Sequence, residues 1–316
     1  MTITEKEAPF YNERRFSYSV ETEAQGLTVG QFLKERGYSR QALTLLKQTE
    51  KGILRNGQWA YVSEPLQSGD RVDTVLREAV SEEIEPVRLP FEVVYEDGDI
   101  MVVDKPADMP VHPSMKNHDN TLANAVAWYG RERNDRFVYR CVNRLDRDTT
   151  GLLILAKHVL SASGLYGQMR ERRIHRTYLA VVKGILREEG TIDQAIARKE
   201  GSAIERIVDP DHGERAVTHY RPVRWGDSWT LVECRLETGR THQIRVHMSW
   251  LGHPLAGDFL YGCREERMPR QALHSWKLSF AHPITGQRME YISGIPEDMQ
   301  NYMEDSPARR SRSFQE

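Results

Sequence analysis

An α+β fold with a mainly antiparallel mixed sheet, preceded by a small helix-and-hairpin unit, is the architecture this sequence predicts, and three observations lead there. Roughly seven strand-like runs follow one another beyond residue 90 with few helical patterns between them, unlike the strand-helix alternation of a parallel sheet. Asn56-Gly57 and Glu96-Asp97-Gly98-Asp99 stand between apolar runs, as the turns of antiparallel hairpins do. The 316 residues exceed the usual single-domain size, so one full core plus a smaller module is expected.

Residues 1–26 show no sustained period and are expected to form a loose lead-in. Leu27, Val29, Phe32 and Leu33 suit one helical face, which Gly37 stops. Ser39 reads as the N-cap of a second helix bearing Ala42, Leu43, Leu45 and Leu46. The Asn-Gly turn follows, and Ser68-Gly69-Asp70-Arg71-Val72 enters a last strand, which completes a unit over 27–76. This order resembles the small alpha-L RNA-binding module first known from a small-subunit ribosomal protein. The resemblance implies that the start of the second helix meets RNA, which assigns Arg40 and Lys47 to the phosphate side.

Residues 77–90 form a charged linker ending in Leu89-Pro90, and a second domain is expected over 91–297. It opens on a hairpin, Phe91 to Tyr95 and Ile100 to Asp104, and continues through Lys105-Pro106 as an extended loop. Thr121 can cap a helix bearing Leu122, Ala125, Val126 and Tyr129, and a further helix is expected from Ala162 to Arg172. Strands are expected at Leu152 to Ala156, Thr177 to Val182, Val217 to Tyr220, Trp229 to Cys234, Leu273 to Phe280 and Arg288 to Ile292. Residues 298–316, with Arg309, Arg310 and Arg312, read as a flexible basic tail.

Hydrophobic residues at 39% and charged residues at 28% fit a soluble globular protein. No apolar run approaches the roughly 18 residues of a membrane helix, and the polar, acidic start lacks a signal-peptide core. A cytoplasmic location without membrane contact is expected. Cys141, Cys234 and Cys263 lie far apart, which is neither a disulfide framework nor a Cys-x-x-Cys knuckle, so reduced and mostly buried thiols are expected. A formal net charge of −2 argues against a protein that simply coats nucleic acid. Arg170, Arg172, Arg173 and Arg176 crowd together against only Glu171, which leaves room for a local basic surface.

Two strings carry chemistry. In Arg144-Leu145-Asp146-Arg147-Asp148-Thr149-Thr150-Gly151, arginines flank a carboxylate just before an apolar strand, which suits an acid held rigidly on a loop beside a sheet. In Gly239-Arg240-Thr241-His242-Gln243-Ile244-Arg245-Val246-His247, Thr241 is a reasonable N-cap. Ile244, Met248 and Leu251 share a helical face, and Gly252 suits the stop. Arg240 and Arg245 then lie at a helix N-terminus, itself favourable to anions. His242 and His247 lack zinc-site spacing, and neither a Gly-rich phosphate cradle nor a Gly-x-Ser-x-Gly elbow is present, so no metal and no cofactor are expected.

The first string resembles the catalytic motif of the RluA branch of the pseudouridine synthases, with Asn143 where that family usually has histidine. The second resembles the Gly-Arg-x-His-Gln-Ile/Leu-Arg motif of the same family. The resemblance implies that Asp146 is the catalytic residue, that Arg245 pairs with it and favours its ionised form, and that Tyr178 lies against the base. It further implies that the target uridine is flipped out of folded RNA and that Arg144 fills the vacated place. Arg147, Arg240 and Ile244, and the 170–176 cluster, become candidate RNA contacts. The implied substrate is structured RNA, ribosomal before transfer RNA, and the implied state a monomer. Whether Asp146 attacks the sugar carbon or abstracts a sugar proton stays open at this point. A non-catalytic RNA-binding or ribosome-assembly protein on the same fold has no need of Asp146, Tyr178 and Arg245 together. A glycosidase needs a second carboxylate opposite the first, and Asp148 shares the loop with Asp146.

Overall fold

The apolar stretches of the first 80 residues come together in a small antiparallel sheet covered by two helices. The computed structural model describes residues 11–80, 83–115, 117–262 and 264–304. The first ten residues, Cys263 and the tail with Arg309, Arg310 and Arg312 lie outside the described residues. The first unit holds β1 (Tyr11–Ser19), α1 (Val29–Glu35), α2 (Arg40–Gln48), β2 (Ile53–Arg55), β3 (Gln58–Trp59) and β4 (Arg71–Ala79). Its strand order is β1-β4-β2-β3. Ser39 caps α2, its Oγ accepting the Ala42 N–H at 3.2 Å. Asn56 and Gly57 take φ of 51° and 80°, the positive pair that a two-residue hairpin turn of this twist demands.

Within the expected loose lead-in over 1–26, Tyr11–Ser19 instead form a nine-residue strand, in register with β4 from Tyr11↔Ala79 to Ser19↔Arg71. Its burial alternates strictly from Asn12 to Ser19, but the inward positions begin with Asn12 and Arg14 rather than apolar residues. Both turn toward the second unit: Asn12 donates to the Lys157 carbonyl at 2.9 Å, and Arg14 to Asp99 at 2.8 Å. With only Phe16 and Tyr18 apolar among the inward positions, the hydrophobic alternation is too short to show the strand period.

The second unit runs through β5 (Glu92–Glu96), β6 (Ile100–Lys105), α3 (Leu122–Glu132), β7 (Thr150–Ala156), α4 (Val159–Arg170) and β8 (His175–Lys183). It continues with β9 (Gly190–Asp193), β10 (Ile196–Arg198), β11 (Arg206–Val208), β12 (Val217–Trp225) and β13 (Trp229–Leu236). Last come α5 (Gln243–Trp250), β14 (Leu273–Ala281), β15 (Arg288–Ile292) and α6 (Glu297–Glu304). The large sheet is ordered β5-β6-β7-β14-β8-β13-β12-β9, with β15 also on β14. Its pairings are antiparallel except β7 with β14, the α+β class the sequence predicts. Among the described residues no helix is long and apolar enough to cross a membrane.

Three local expectations are corrected. Helix α4 begins at Val159 rather than Ala162, because His158 Nδ1 accepts the Ser161 N–H at 3.2 Å and caps it. Thr241 does not cap α5; His242 does, in a left-handed conformation with φ 59° and no side-chain cap. Residues 298–304 are no tail but belong to α6, which buries Met299, Tyr302 and Met303, spaced at helical intervals, against Val181 and Trp229 of the sheet.

The two units share a packed boundary. Val159 and Leu160 at the start of α4 join the core of the first unit, with Phe32, Leu43 and Leu46. Glu78, at the end of β4 and beyond the boundary expected at 76, takes a hydrogen bond from Arg140 and another from the Val159 N–H at 2.9 Å.

Candidate active site

The loop from Arg144 to Thr149 enters β7 and is held from below by two buried cations. Lys105, wholly buried, donates to the Arg147 carbonyl at 2.8 Å and to the Pro106 carbonyl at 2.7 Å. Burial pulls its ammonium down to about 7. Arg270 donates to the Asp148 carbonyl at 3.1 Å while its other nitrogens grip Asp298 of α6 at 2.6 and 2.8 Å. Asn143 is buried and accepts the Ile154 N–H at 3.0 Å, so it ties the loop to β7.

Gly151 lets that loop meet the sheet. Its φ is 107°, and a Cβ there would lie 2.3 Å from the Ser275 carbonyl oxygen across the β7–β14 pair. Only glycine allows both the conformation and the approach.

Asp146 emerges from this platform beside α5. Arg245 donates to its Oδ2 at 2.9 Å, and the same guanidinium grips Asp258 at 2.7 and 2.9 Å. Side-chain exposures separate the roles: Arg245 is 4% and Asp258 0% exposed, whereas Asp146 keeps 24%. Burial works against the Arg245 charge, but Asp258 and Asp146 outweigh it and hold the group above the ordinary arginine value. His242, placed by its left-handed backbone, lies 3.9 Å from Asp146 Oδ2 and is hydrogen-bonded to the Tyr261 hydroxyl at 2.7 Å. Burial lowers its pKa below 6.5, so it is neutral at pH 7.

Asp146 faces a cavity of about 590 Å³ walled by Tyr178, Ile244, Leu236 and Leu273, with Arg144 and Arg176 at its edge. Burial pushes the Tyr178 phenol up, which keeps it protonated. The space combines apolar walls, one carboxylate and cationic margins, a fit for a planar polar base with a sugar-phosphate tail.

The structure thus brings Asp146, Tyr178, Arg245, Arg144 and Ile244 together. Arg147 turns away, pairing with Asp148 at 3.1 Å and lining a separate cavity of about 690 Å³. Arg240 reaches the margin but is engaged by Glu214 and the Arg215 carbonyl. Arg40 and Lys47 lie exposed on α2 and do not line the cavity. Of the basic cluster, Arg172 pairs with Glu237 and Arg173 with Glu171, while Arg176 is buried. Sequence reasoning missed Asp258, which orients Arg245, and the roles of Lys105 and Arg270. Asp258 sits in an irregular turn after Gly257 and accepts the Leu260 and Tyr261 N–H groups at 3.1 and 3.2 Å. A lone acid in such a turn has no periodic signal.

A profile of the RNA pseudouridylate synthase family matches residues 99–250. The Bacillus subtilis (strain 168) protein named uncharacterized RNA pseudouridine synthase YjbO is 40% identical over 275 residues, 86% of this chain and 97% of that protein. The ribosomal large subunit pseudouridine synthase D of Zymomonas mobilis is 41% identical over 271 residues, 79% of this chain and 84% of that one. The solved structure of human RNA pseudouridylate synthase domain containing 1 superposes with a TM-score of 0.55 at 29% identity, covering 69% of this chain and 86% of that chain.

Proposed function

Because the chain belongs to the RluA-type family of RNA pseudouridine synthases and so makes pseudouridine in RNA, we propose that its substrate is ribosomal RNA and that Asp146 is the catalytic carboxylate. The relatives named for the large ribosomal subunit support the choice of RNA. One observation carries the choice of residue. Asp146 lines the cavity with Oδ2 pinned by Arg245, and its Oδ1 has no hydrogen-bond partner among the described residues.

In this reading a uridine leaves the RNA stack, at a cost of a few kcal/mol, and its base enters between Tyr178 and Ile244. Arg144, exposed at the mouth, fills the place it vacates. The bond from N1 to the sugar carbon breaks, the base turns, C5 bonds to that carbon, the C5 proton is lost and N1 takes one up, so the product is an isomer of the substrate. Asp146 acts on the electron-poor sugar, as nucleophile at the carbon or as base toward its neighbouring proton. Arg245 and the Asp258 behind it hold the carboxylate aimed into the cavity. Tyr178, protonated, packs against the base.

A pseudouridine map of cells lacking the protein, complemented with wild type or Asp146→Asn, tests this. Ribosomal RNA sites that vanish and return with wild type alone are expected. Sites that return equally with Asp146→Asn refute the residue assignment, and changes confined to transfer RNA refute the choice of RNA.

A further inference from the structure

Beside the cavity around Asp146 lies a smaller cleft of about 330 Å³ that shares Arg144 and Arg240 with it. Its far wall is the β10–β11 hairpin, which contributes Arg198 and Arg206. In the hairpin register these two arginines are direct cross-strand partners. Like charges directly opposite destabilise a strand pair. The next pair shows the ordinary solution: Lys199 and Glu205 form an ion pair at 2.8 Å.

The repulsion is not relieved from within the protein. Arg198 has no side-chain partner among the described residues, and Arg206 Nη1 reaches only the carbonyls of Ile204 and Glu205 at 3.1 Å. Glu214, the acid lining the cleft, is taken by Arg240. Arg144 likewise has no partner among the described residues. The hairpin itself is firmly seated, since Ile196 and Val208 pack with Val246 of α5, and the Arg206 N–H donates to the Tyr261 hydroxyl at 2.8 Å. The same Tyr261 hydroxyl is bonded to His242 beside Asp146. A rigid hairpin therefore holds an unneutralised pair of cations one step from the carboxylate.

We propose that Arg198 and Arg206 form a subsite for a phosphodiester group of the RNA strand next to the flipped uridine. A bridging phosphate turns the repulsive pair into two charge-assisted contacts, and its position fixes how far the strand enters before the base meets Asp146. The inference rests on the reading that the uridine occupies the Asp146 cavity. It adds a binding site on a hairpin outside both sequence strings.

The test measures binding of fragmented large-subunit ribosomal RNA by wild type, Arg198→Ala, Arg206→Ala and Arg198→Glu across a salt series. Each alanine variant is expected to bind about fivefold more weakly near physiological salt and to lower the slope of log affinity on log salt by about 1. Arg198→Glu creates a complementary cross-strand pair, so its thermal midpoint is expected to equal or exceed that of wild type while its RNA affinity falls further. A single uncharged methylphosphonate beside the target uridine is expected to weaken wild type but not Arg198→Ala. Unchanged affinity and salt slope in both Arg198 variants overturn the subsite. Loss of affinity in Arg198→Glu only together with loss of folding, with Arg198→Ala binding normally, overturns it as well. Wild type that binds these fragments without forming pseudouridine in them would count against the proposed substrate alone, because the salt series reads the subsite without catalysis.

Discussion

Replacing Arg245 by methionine separates architecture from chemistry at this site. Three charge-assisted hydrogen bonds are lost, two of them to Asp258, which has no exposed side-chain surface and would stay behind as a buried carboxylate without a countercharge, held among the described residues by the Leu260 and Tyr261 N–H groups alone. Breaking a buried pair by removing one partner costs about 3–5 kcal/mol. For a chain of this size that corresponds to a fall in thermal midpoint on the order of 10 °C. Asp146→Asn should cost below about 1 kcal/mol, since Arg245 keeps both bonds to Asp258 and Asp146 is already partly solvated. The double variant Arg245→Met/Asp258→Leu removes the stranded charge, so it should regain most of the stability lost in the single variant while remaining inactive. Urea unfolding, with pseudouridine formation measured in parallel, reads all four proteins. If Arg245→Met costs under 1 kcal/mol, or the double variant is no more stable than the single, the account of Asp258 as the anchor of Arg245 is wrong.

The remaining expectations concern the frame. Gly151→Ala should destabilise by on the order of 3 kcal/mol, from a Cβ 2.3 Å from the Ser275 oxygen at φ 107°, and a cost under 1 kcal/mol would show that β7 and β14 can spread. His274 is held to about 4 by burial, with Arg270 adding to the effect, Asp298 opposing it, and its ring bonded to the Thr150 hydroxyl. Below its ordinary 6.5 the unfolded chain takes up a proton that the folded chain refuses, so stability should fall by about 3 kcal/mol as pH drops from 6.5 to 4. Urea midpoints against pH should show this fall in wild type and a shallower one in His274→Asn; parallel curves would refute it. Glu78→Ala leaves Arg140 and the Val159 N–H without their acceptor, at about 2–4 kcal/mol. Hydrogen exchange should then show α1 and α2 opening before the large sheet, and uniform protection would contradict a boundary held by Glu78.

What could be read from the residues depended on whether the physical cause was local. The Asn56-Gly57 turn, the Ser39 cap and the hairpin around Gly98 are local and appear as expected. Asp146 and Arg245 stand in separate strings, and only the family resemblance, not spacing, placed them opposite one another. Asp258 was invisible because its reason for being there is a guanidinium that arrives from another element. Strand β1 was invisible because the first half of its inner face, Asn12 and Arg14, is spent on the Lys157 carbonyl and Asp99, which leaves only Phe16 and Tyr18 to mark the period. Helix α6 carries its apolar residues on one short face and was lost beside the basic sequence that follows it. The like-charge pair Arg198 and Arg206 becomes an anomaly only when the register is known.

The boundary between the two units bears on how a target is chosen. With Arg14 on Asp99, Glu78 on Arg140 and the start of α4 inside the first unit's core, the front module is bolted to the body instead of swinging on a tether. A tethered module would raise the local concentration of RNA and accept many geometries. On the proposal that the first unit contacts RNA, a bolted one behaves as a caliper: the span from its contact to Asp146 is constant. Selection of a uridine then becomes a question of three-dimensional distance within the RNA as much as of the bases around it.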